Sequence, residues 1–236
     1  MAEEDFDINS LAAYLHLDPQ QVARLACRDR LPGRRISGEW RFSRAEIHHW
    51  LERRIGLSDE DELVAVEDVL DRSAPADEAR DVSLKELLPR EAIAIPLGAR
   101  TRSSVIRSMV DLAAQTGWLW DPVKMVQAVR SREEMHPTAL ENGVALLHPR
   151  RPMASILGKA VVALGRTAAG IPFGGDRGVL TDVFFLICSV DDRSHLQTLA
   201  RLSRMITTPG FLEQIREAPD RDEVHRLIVE AESRLT

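Results

Sequence analysis

Arg132-Glu-Glu-Met-His-Pro-Thr-Ala-Leu-Glu-Asn-Gly-Val-Ala-Leu-Leu-His148 is the run from which the rest of the chain can be read. It begins in a helical pattern, crosses a turn-rich loop and ends with a histidine on an apolar run. Gly143 permits a turn into Val144-Ala145-Leu146-Leu147, which is too short and apolar for a surface loop and predicts a buried strand. His148 and Pro149 close that strand. A histidine at a strand end is predicted to be partly exposed and held on rigid backbone, as reversible chemistry on an imidazole requires.

Outward from this run, the chain from Val82 alternates strands and helices. Ile93-Ala94-Ile95 with Leu97 predicts a strand, and Val105, Ile106, Met109, Val110 and Ala113 a helix capped by Gly117. A second helix starts at Asp121-Pro122, an N-cap followed by proline, and runs through Met125, Val126 and Val129 to Arg132. Beyond His148, Ala160 to Leu164 and Val183 to Ile187 are apolar runs of buried-strand length. Three helical patterns follow, through Leu196, Leu199, Leu202, Met205 and Ile206, from Phe211 to Ile215, and through Val224, Leu227 and Ile228. Strands with helices before and after them predict a three-layer αβα domain.

Arg132-Glu133, Thr138, Gly143, Ala145 and His148, with Ser194-His195-Leu196-Gln197-Thr198-Leu199 downstream, carry a resemblance. They resemble the mannitol/fructose-type IIA domains of the bacterial phosphotransferase system, especially the nitrogen-regulatory branch. Those domains run Arg-Glu-Lys-Met/Leu, then Ser-Thr-Gly, then Gly-(Ile/Val)-Ala-Ile-Pro-His. The resemblance covers about residues 83–233 and implies an α/β domain with a mixed sheet. It sets Arg132 on the active-site arginine, His148 on the phosphorylated histidine and His195 on the second active-site histidine. It also implies a histidine-containing phosphocarrier protein as partner, and no cofactor or metal. His136, Pro137 and Ala139 stand where the family has small residues, and Leu147 stands where it has proline.

The chemistry of these groups is coherent. A neutral imidazole near its own pKa is both a good phosphoryl acceptor and a good leaving group, suited to a relay. Phosphoryl transfer needs positioning and cationic stabilisation more than acid–base work. Arg132 would supply a bidentate donor, His195 a second donor, and the loop of Thr138, Asn142 and Gly143 an amide nest for the anion. Each residue has a plainer alternative: a structural imidazole at His148, a helix C-terminal arginine facing the dipole at Arg132, and a helix-start residue at His195. His136, His148 and His195 together could also hold zinc, but no HxH or HxxxH spacing supports it.

A length of 236 residues suits two domains, each able to bury a core. The apolar fraction of 44% is that of a soluble protein. No apolar run approaches about 18 residues, and the acidic Met-Ala-Glu-Glu-Asp start lacks the basic region of a signal peptide. The expectation is a cytoplasmic protein without a membrane partner. Cys27 and Cys188 fall in different domains, so no disulfide framework is implied.

The net charge of -6 is unevenly spread. Residues 20–54 hold nine arginines against four acids, a balance of +5, and residues 56–82 hold ten acids against two arginines, a balance of -8. A basic module precedes an acidic tether. In the module, Asp7 predicts a cap for a helix bearing Leu11, Tyr14 and Leu15, and Asp18-Pro19-Gln20-Gln21 a capping box for a second that buries Val22 and Leu25. Gln20, Gln21, Arg24 and Arg28 would face outward. Arg34 to Ile36 and Glu39 to Phe42 predict a β-hairpin about Ser37-Gly38. Ser43-Arg44-Ala45-Glu46 then predicts another capped helix, with Ile47, Trp50 and Leu51 inward. Trp40 and Trp50 read as core residues. Two helices and an arginine-bearing hairpin form a winged helix-turn-helix plan.

Leu11-Ala12, Val22-Ala23-Arg24-Leu25, Leu31-Pro32, Gly38-Glu39-Trp40-Arg41-Phe42 and Ile47-His48-His49-Trp50-Leu51 resemble the excisionase/MerR-like helix-turn-helix domains. The departure is His16, where that family has a glycine. Arg24, Arg28, Arg35 and Arg41, with Gln20 and Gln21, are the expected contacts to double-stranded DNA, against the alternative of a solvated basic surface. So small a module is expected to act as a homodimer or with a partner. In the tether, Leu63, Val66, Val69 and Leu70 lie at helical spacing.

The expected organisation is therefore a DNA-binding domain over 1–55, an acidic linker over 56–82 and an αβα domain over 83–236. Without following transport segments, it reads as a regulator coupling phosphorylation to transcription rather than as a sugar-uptake component. The alternatives are a phosphotransfer intermediate, or a degenerate IIA domain acting by protein–protein binding.

Overall fold

The computed structural model describes residues 5–15, 17–44, 46–47, 50–51, 83–175 and 178–235. They divide into two compact units, Met1–Asp81 and Val82–Thr236.

In the first unit, Asp7 caps helix α1 (Ile8–Leu15). Its carboxylate accepts from Ser10 N at 2.7 Å while Asp7 N donates to Ser10 Oγ at 2.9 Å. Helix α2 (Pro19–Cys27) opens on the predicted capping box: Asp18 accepts from Gln20 N at 2.7 Å, and its own N–H donates to Gln21 Oε1 at 3.1 Å. The buried residues of α2 are Val22 and Ala26. Leu25 is only half-buried, because the inward stripe follows i, i+4 from Val22 and leaves Leu25 at its edge.

Strands β1 (Arg34–Ile36) and β2 (Glu39–Arg41) pair antiparallel, Arg35 opposite Trp40. Ser37 and Gly38 turn the hairpin with φ of 53° and 87°, the pair of positive values a primed two-residue turn demands. Phe6 bridges Phe42, tying the chain start to the hairpin. Ile47 and Leu51 are buried on the next helical segment. Both tryptophans are half-buried rather than core: Trp40 stacks on Phe42 at 5.9 Å, and Trp50 donates its indole N–H to Arg30 O at 2.8 Å. A polar ring nitrogen keeps part of the side chain near solvent. His16 and the stripe of Leu63, Val66, Val69 and Leu70 lie outside the described residues.

The second unit is built on a four-stranded mixed sheet of order β3-β5-β6-β4. These strands are β3 (Ile93–Ala94), β4 (Val144–Leu147), β5 (Val161–Pro172) and β6 (Leu180–Cys188). The β3–β5 and β4–β6 pairs are parallel and β5–β6 is antiparallel. Consecutive buried residues along β4 and from Val183 to Cys188 require cover on both faces of the sheet, which makes three layers. The helices are α3 (Leu84–Leu87), α4 (Arg102–Ala114), α5 (Pro122–Met135), α6 (Asp192–Thr207), α7 (Phe211–Glu217) and α8 (Arg221–Leu235).

Three sequence expectations shift. β3 is two residues long, because Pro96 has no N–H to continue a ladder; Leu97 N still reaches Arg166 O at 2.7 Å. Helix α4 stops at Ala114 with Gln115 as its cap, so Gly117 (φ 75°) lies in the turn beyond. Strand β5 runs past Leu164 to Pro172, since its pairing with β6 resumes at Ile171–Thr181 after an irregularity. The buried Glu232 of α8 accepts from Leu84 N and Lys85 N, and stands 3.6 Å from Arg201 of α6. It thus ties three helices with one carboxylate.

Candidate phosphoryl-transfer site and helix-turn-helix surface

The pairing of β4 with β6 decides where the histidines meet. Leu147 lies beside Leu186, so the two parallel strands end together. His148 follows β4, while β6 leads through Ser189 into the first turn of α6, where Asp191 caps the helix by accepting from Ser194 N at 2.8 Å. His195 sits in that turn. The two imidazole rings lie 5.1 Å apart, centroid to centroid, with 58° between their planes.

His148 is 3% exposed. The expectation of partial exposure is overturned, because Pro149 beyond it is buried as well and the strand end is not a rim. His148 Nδ1 stands 2.7 Å from Leu146 O. A carbonyl oxygen only accepts, so Nδ1 carries the proton and the neutral ring keeps its lone pair on Nε2. His195 is equally buried, and its Nδ1 lies 3.3 Å from Ser189 Oγ.

Arg132 is buried in the last turn of α5 and donates from Nη1 to His136 O at 2.8 Å. The segment after it runs antiparallel alongside β4. Leu140 N donates to Val144 O at 2.7 Å, Ala139 bridges Ala145, and Leu146 N donates to Thr138 O at 3.3 Å. The carbonyl that holds Arg132 belongs to His136, two residues before Thr138 on that segment.

The expected amide nest is a different matter. Thr138 N donates to Glu133 Oε1 at 3.1 Å, Leu140 N to Val144 O, and Gly143 N to Leu140 O at 3.3 Å. The amides of Thr138, Leu140 and Gly143 thus serve the chain itself. Asn142 and Gly143 also lie at the wrong end of β4. The four residues of β4 separate Gly143 from His148, five steps of ~3.3 Å or about 16 Å. At that end Asn142 Oδ1 accepts from Val144 N at 3.3 Å, and Arg216 binds Asn142 O at 2.7 Å and Asp182 through two bonds of 2.9 Å. Of the three loop residues, only Thr138 stands at the His148 end.

Glu133, Ser189 and Arg102 carried no expected role in the site. Glu133 is 1% exposed, and Arg102 Nη2 donates to its Oε2 at 3.0 Å. A glutamate directly after a buried arginine at a helix end is a usable signal only once the inward face of that helix is known. Among the described residues, no group of three or more His, Cys, Asp and Glu is placed to hold a metal ion, and His136 is exposed.

In the first unit Gln20, Gln21, Arg24, Arg28 and Arg35 are exposed. Arg24 Nε donates to Gln20 O at 3.2 Å, and the Arg35 guanidinium lies 5.1 Å over Trp40. Arg41 is half-buried and paired with Glu39 at 3.0 Å, so it is less available than the sequence suggests.

The family signature of the phosphoenolpyruvate-dependent sugar phosphotransferase system, EIIA 2, matches residues 86–231. The chain belongs to this family. A helix-turn-helix domain signature matches residues 6–55 ahead of the EIIA domain. The chain is 26% identical over 149 residues to the PTS system fructose-specific EIIABC component of Bacillus subtilis, covering 62% of this chain but only 23% of that protein. It is also 26% identical over 149 residues to the PTS system fructose-specific EIIA component of Haloferax volcanii, covering 62% of this chain and 95% of the other. The nitrogen regulatory protein IIA-Ntr of Neisseria meningitidis shares the fold of the EIIA domain. That structure superposes with a TM-score of 0.56 at 20% identity, over 61% of this chain and 98% of the other. No helix of the described residues is long and apolar enough to cross a membrane.

Proposed function

We propose that this chain is a cytoplasmic DNA-binding regulator whose EIIA domain takes a phosphoryl group on His148 from a histidine-containing phosphocarrier of the phosphotransferase system. The observation that carries this reading is the 2.7 Å approach of His148 Nδ1 to Leu146 O, which holds the ring in the tautomer with a nucleophilic Nε2. As Nε2 bonds to phosphorus, the donor imidazole leaves with the electron pair of the breaking P–N bond, and Nδ1 keeps its proton. His195, 5.1 Å away, and the buried Arg132 are assigned as donors to the transferring oxygens, with Thr138 beside them.

Residues 1–55 are assigned to duplex binding, with Gln20, Gln21, Arg24 and Arg28 on one helix and Arg35 and Arg41 on the wing. Residues 56–82 join this module to the EIIA domain at 83–236, and a homodimer would supplement the affinity of so small a module. Mass spectrometry after incubation with phosphoenolpyruvate, the first phosphotransferase enzyme and its phosphocarrier tests the phosphoacceptor. The expected product is an acid-labile phosphohistidine at position 148 that a His148→Ala protein does not form. Undiminished labelling of that variant would sink the assignment.

One observation favours a second reading. His148 is 3% exposed and preceded by Leu147, as fits a IIA domain that binds partners without being phosphorylated. The same incubation separates the two, since that reading requires no label on the wild-type chain. A phosphotransfer intermediate without a transcriptional role would instead be labelled while its DNA affinity stayed constant.

A further inference from the structure

We infer that Glu133, held by Arg102, is a positioning residue for His148: through Thr138 it sets the ring's tautomer. The inference deepens the phosphoacceptor reading given above and rests on it for its functional consequence.

The connection runs through five groups. Arg102, on α4, donates from Nη2 both to Glu133 O and to Glu133 Oε2, the latter at 3.0 Å. Glu133 is 1% exposed, and its carboxylate also accepts from Thr138 N and from Thr138 Oγ1. Thr138 O accepts from Leu146 N at 3.3 Å. Leu146 O, in turn, accepts from His148 Nδ1 at 2.7 Å. The bonds converge on the carboxylate: His148 donates to Leu146, Leu146 to Thr138 and Thr138 to Glu133, while Arg102 donates to Glu133 from the other side.

A buried carboxylate is costly unless its oxygens are satisfied. Here two donors from Thr138 and one from Arg102 satisfy it, and in return Glu133 holds the Thr138 segment against β4. The segment from Thr138 to Leu140 is held by its ladder to β4 and by this anchor. Released from Glu133, it would be free to slip against β4, and the Leu146 peptide would lose the partner on its N–H. The same residue presents, on its following peptide unit, the carbonyl that selects Nδ1–H. With Leu146 O displaced, Nδ1–H and Nε2–H forms would mix, and only the first leaves Nε2 able to attack phosphorus.

Two variants test this. Glu133→Gln keeps the shape but sets an amide NH2 against a donor, either Arg102 or the Thr138 N–H. Thr138→Val removes only the hydroxyl, and Thr138→Ser restores it. The readouts are the 15N ring resonances of His148 at pH 8, where an ordinary imidazole is neutral, and the rate of phosphoryl acceptance from the phosphocarrier. Both are normalised to folded protein by circular dichroism.

We expect wild-type and Thr138→Ser rings to be Nδ1–H, and Glu133→Gln and Thr138→Val rings to be mixed. The acceptance rate of those two variants should fall about tenfold, the scale of one charge-assisted bond. A purely structural role for Glu133 would lower the melting temperature while leaving the ring tautomer and the rate per folded molecule unchanged. That result overturns the inference. Should Glu133→Gln not fold, Thr138→Val carries the test alone. If the wild-type chain accepts no phosphoryl group, the functional reading fails, and the ring resonances still decide whether Glu133 positions His148.

Discussion

His148, Arg132 and His195 are singled out by the resemblance to the IIA domains, which residue type and spacing carry. Their burial is not, because it depends on how β4 and β6 end together. Glu133 shows the same division: nothing in its immediate neighbours announces a carboxylate satisfied by a loop five residues on and a helix thirty residues back. Two side chains give predictions at this level. Burial pushes the Cys188 thiol up to about 12, whereas Cys27 is exposed. At pH 8 a maleimide should therefore label one thiol per native chain, at Cys27, and a second only in denaturant; rapid native labelling of Cys188 would contradict its place on β6.

His225 supplies a pH dependence. Burial first, and the nearby Arg90 second, hold its pKa below the ordinary imidazole value of 6.5. The unfolded chain therefore binds the proton more readily than the folded one. Its contribution to stability is fully present above pH 6.5 and is lost as pH falls through the depressed folded value. In urea titrations of the wild type and His225→Gln at pH 7.5 and 5.5, the wild type should lose more stability on acidification. Parallel losses in the two proteins would remove His225 as the cause.

Helices and strands were legible to different degrees. The start of α2 could be read residue by residue, since Asp18, Pro19 and Gln21 each have one role and the structure realises all three. Asp18→Ala should cost about 1 kcal/mol of stability in the first unit, the usual worth of a cap, measurable as a lowered midpoint of its thermal unfolding. An unchanged midpoint would mean the box contributes nothing. Strand lengths were harder to read. The end of β3 at Ala94 follows from Pro96, yet β5 continues to Pro172 through Gly165, Ala168, Ala169 and Gly170, a run with little strand character. Its partner strand supplies the order that its own composition lacks.

Gly143 is a position where a turn and its close neighbours dictate the residue. Its φ is +83°, and a Cβ there would stand 2.8 Å from Arg216 Nη2 and 3.2 Å from Leu180 O. Gly143→Ala should destabilise the EIIA domain by about 1–3 kcal/mol, read as a shift in its denaturant midpoint. Because the turn lies at the far end of β4, the same variant should keep its His148 ring in the Nδ1–H form. A lost ring signature in a folded Gly143→Ala protein would show that the two ends of the strand are not independent.

For the chain as a whole, the two-part organisation was readable from the change of sign at about residue 55 and from the change of hydrophobic period after Val82. Sheet order was not, because β4 joins β6 rather than its sequence neighbour β5, and parallel pairing leaves no local mark in either strand. In binding duplex DNA, the full chain should show log affinity falling by about 0.9 per log unit of salt for each phosphate neutralised. Replacing Arg24 and Arg28 together should flatten that slope by about two such contacts, while an unchanged slope would move the DNA surface off α2.

Regulation by this chain requires that the state of the EIIA domain reach the DNA. A phosphoryl group on His148 adds roughly -1.5 to -2 charge to a buried position, and only an element with two arrangements could carry that change to residues 1–55. Titrating one operator duplex with phosphorylated and unphosphorylated full chain, at a single salt concentration, measures the connection directly. The expected result is two curves displaced by a coupling of about 1–3 kcal/mol, a five- to roughly 150-fold change in affinity. Coincident curves from protein carrying phosphate on His148 would contradict the account and leave the two domains as neighbours on one chain.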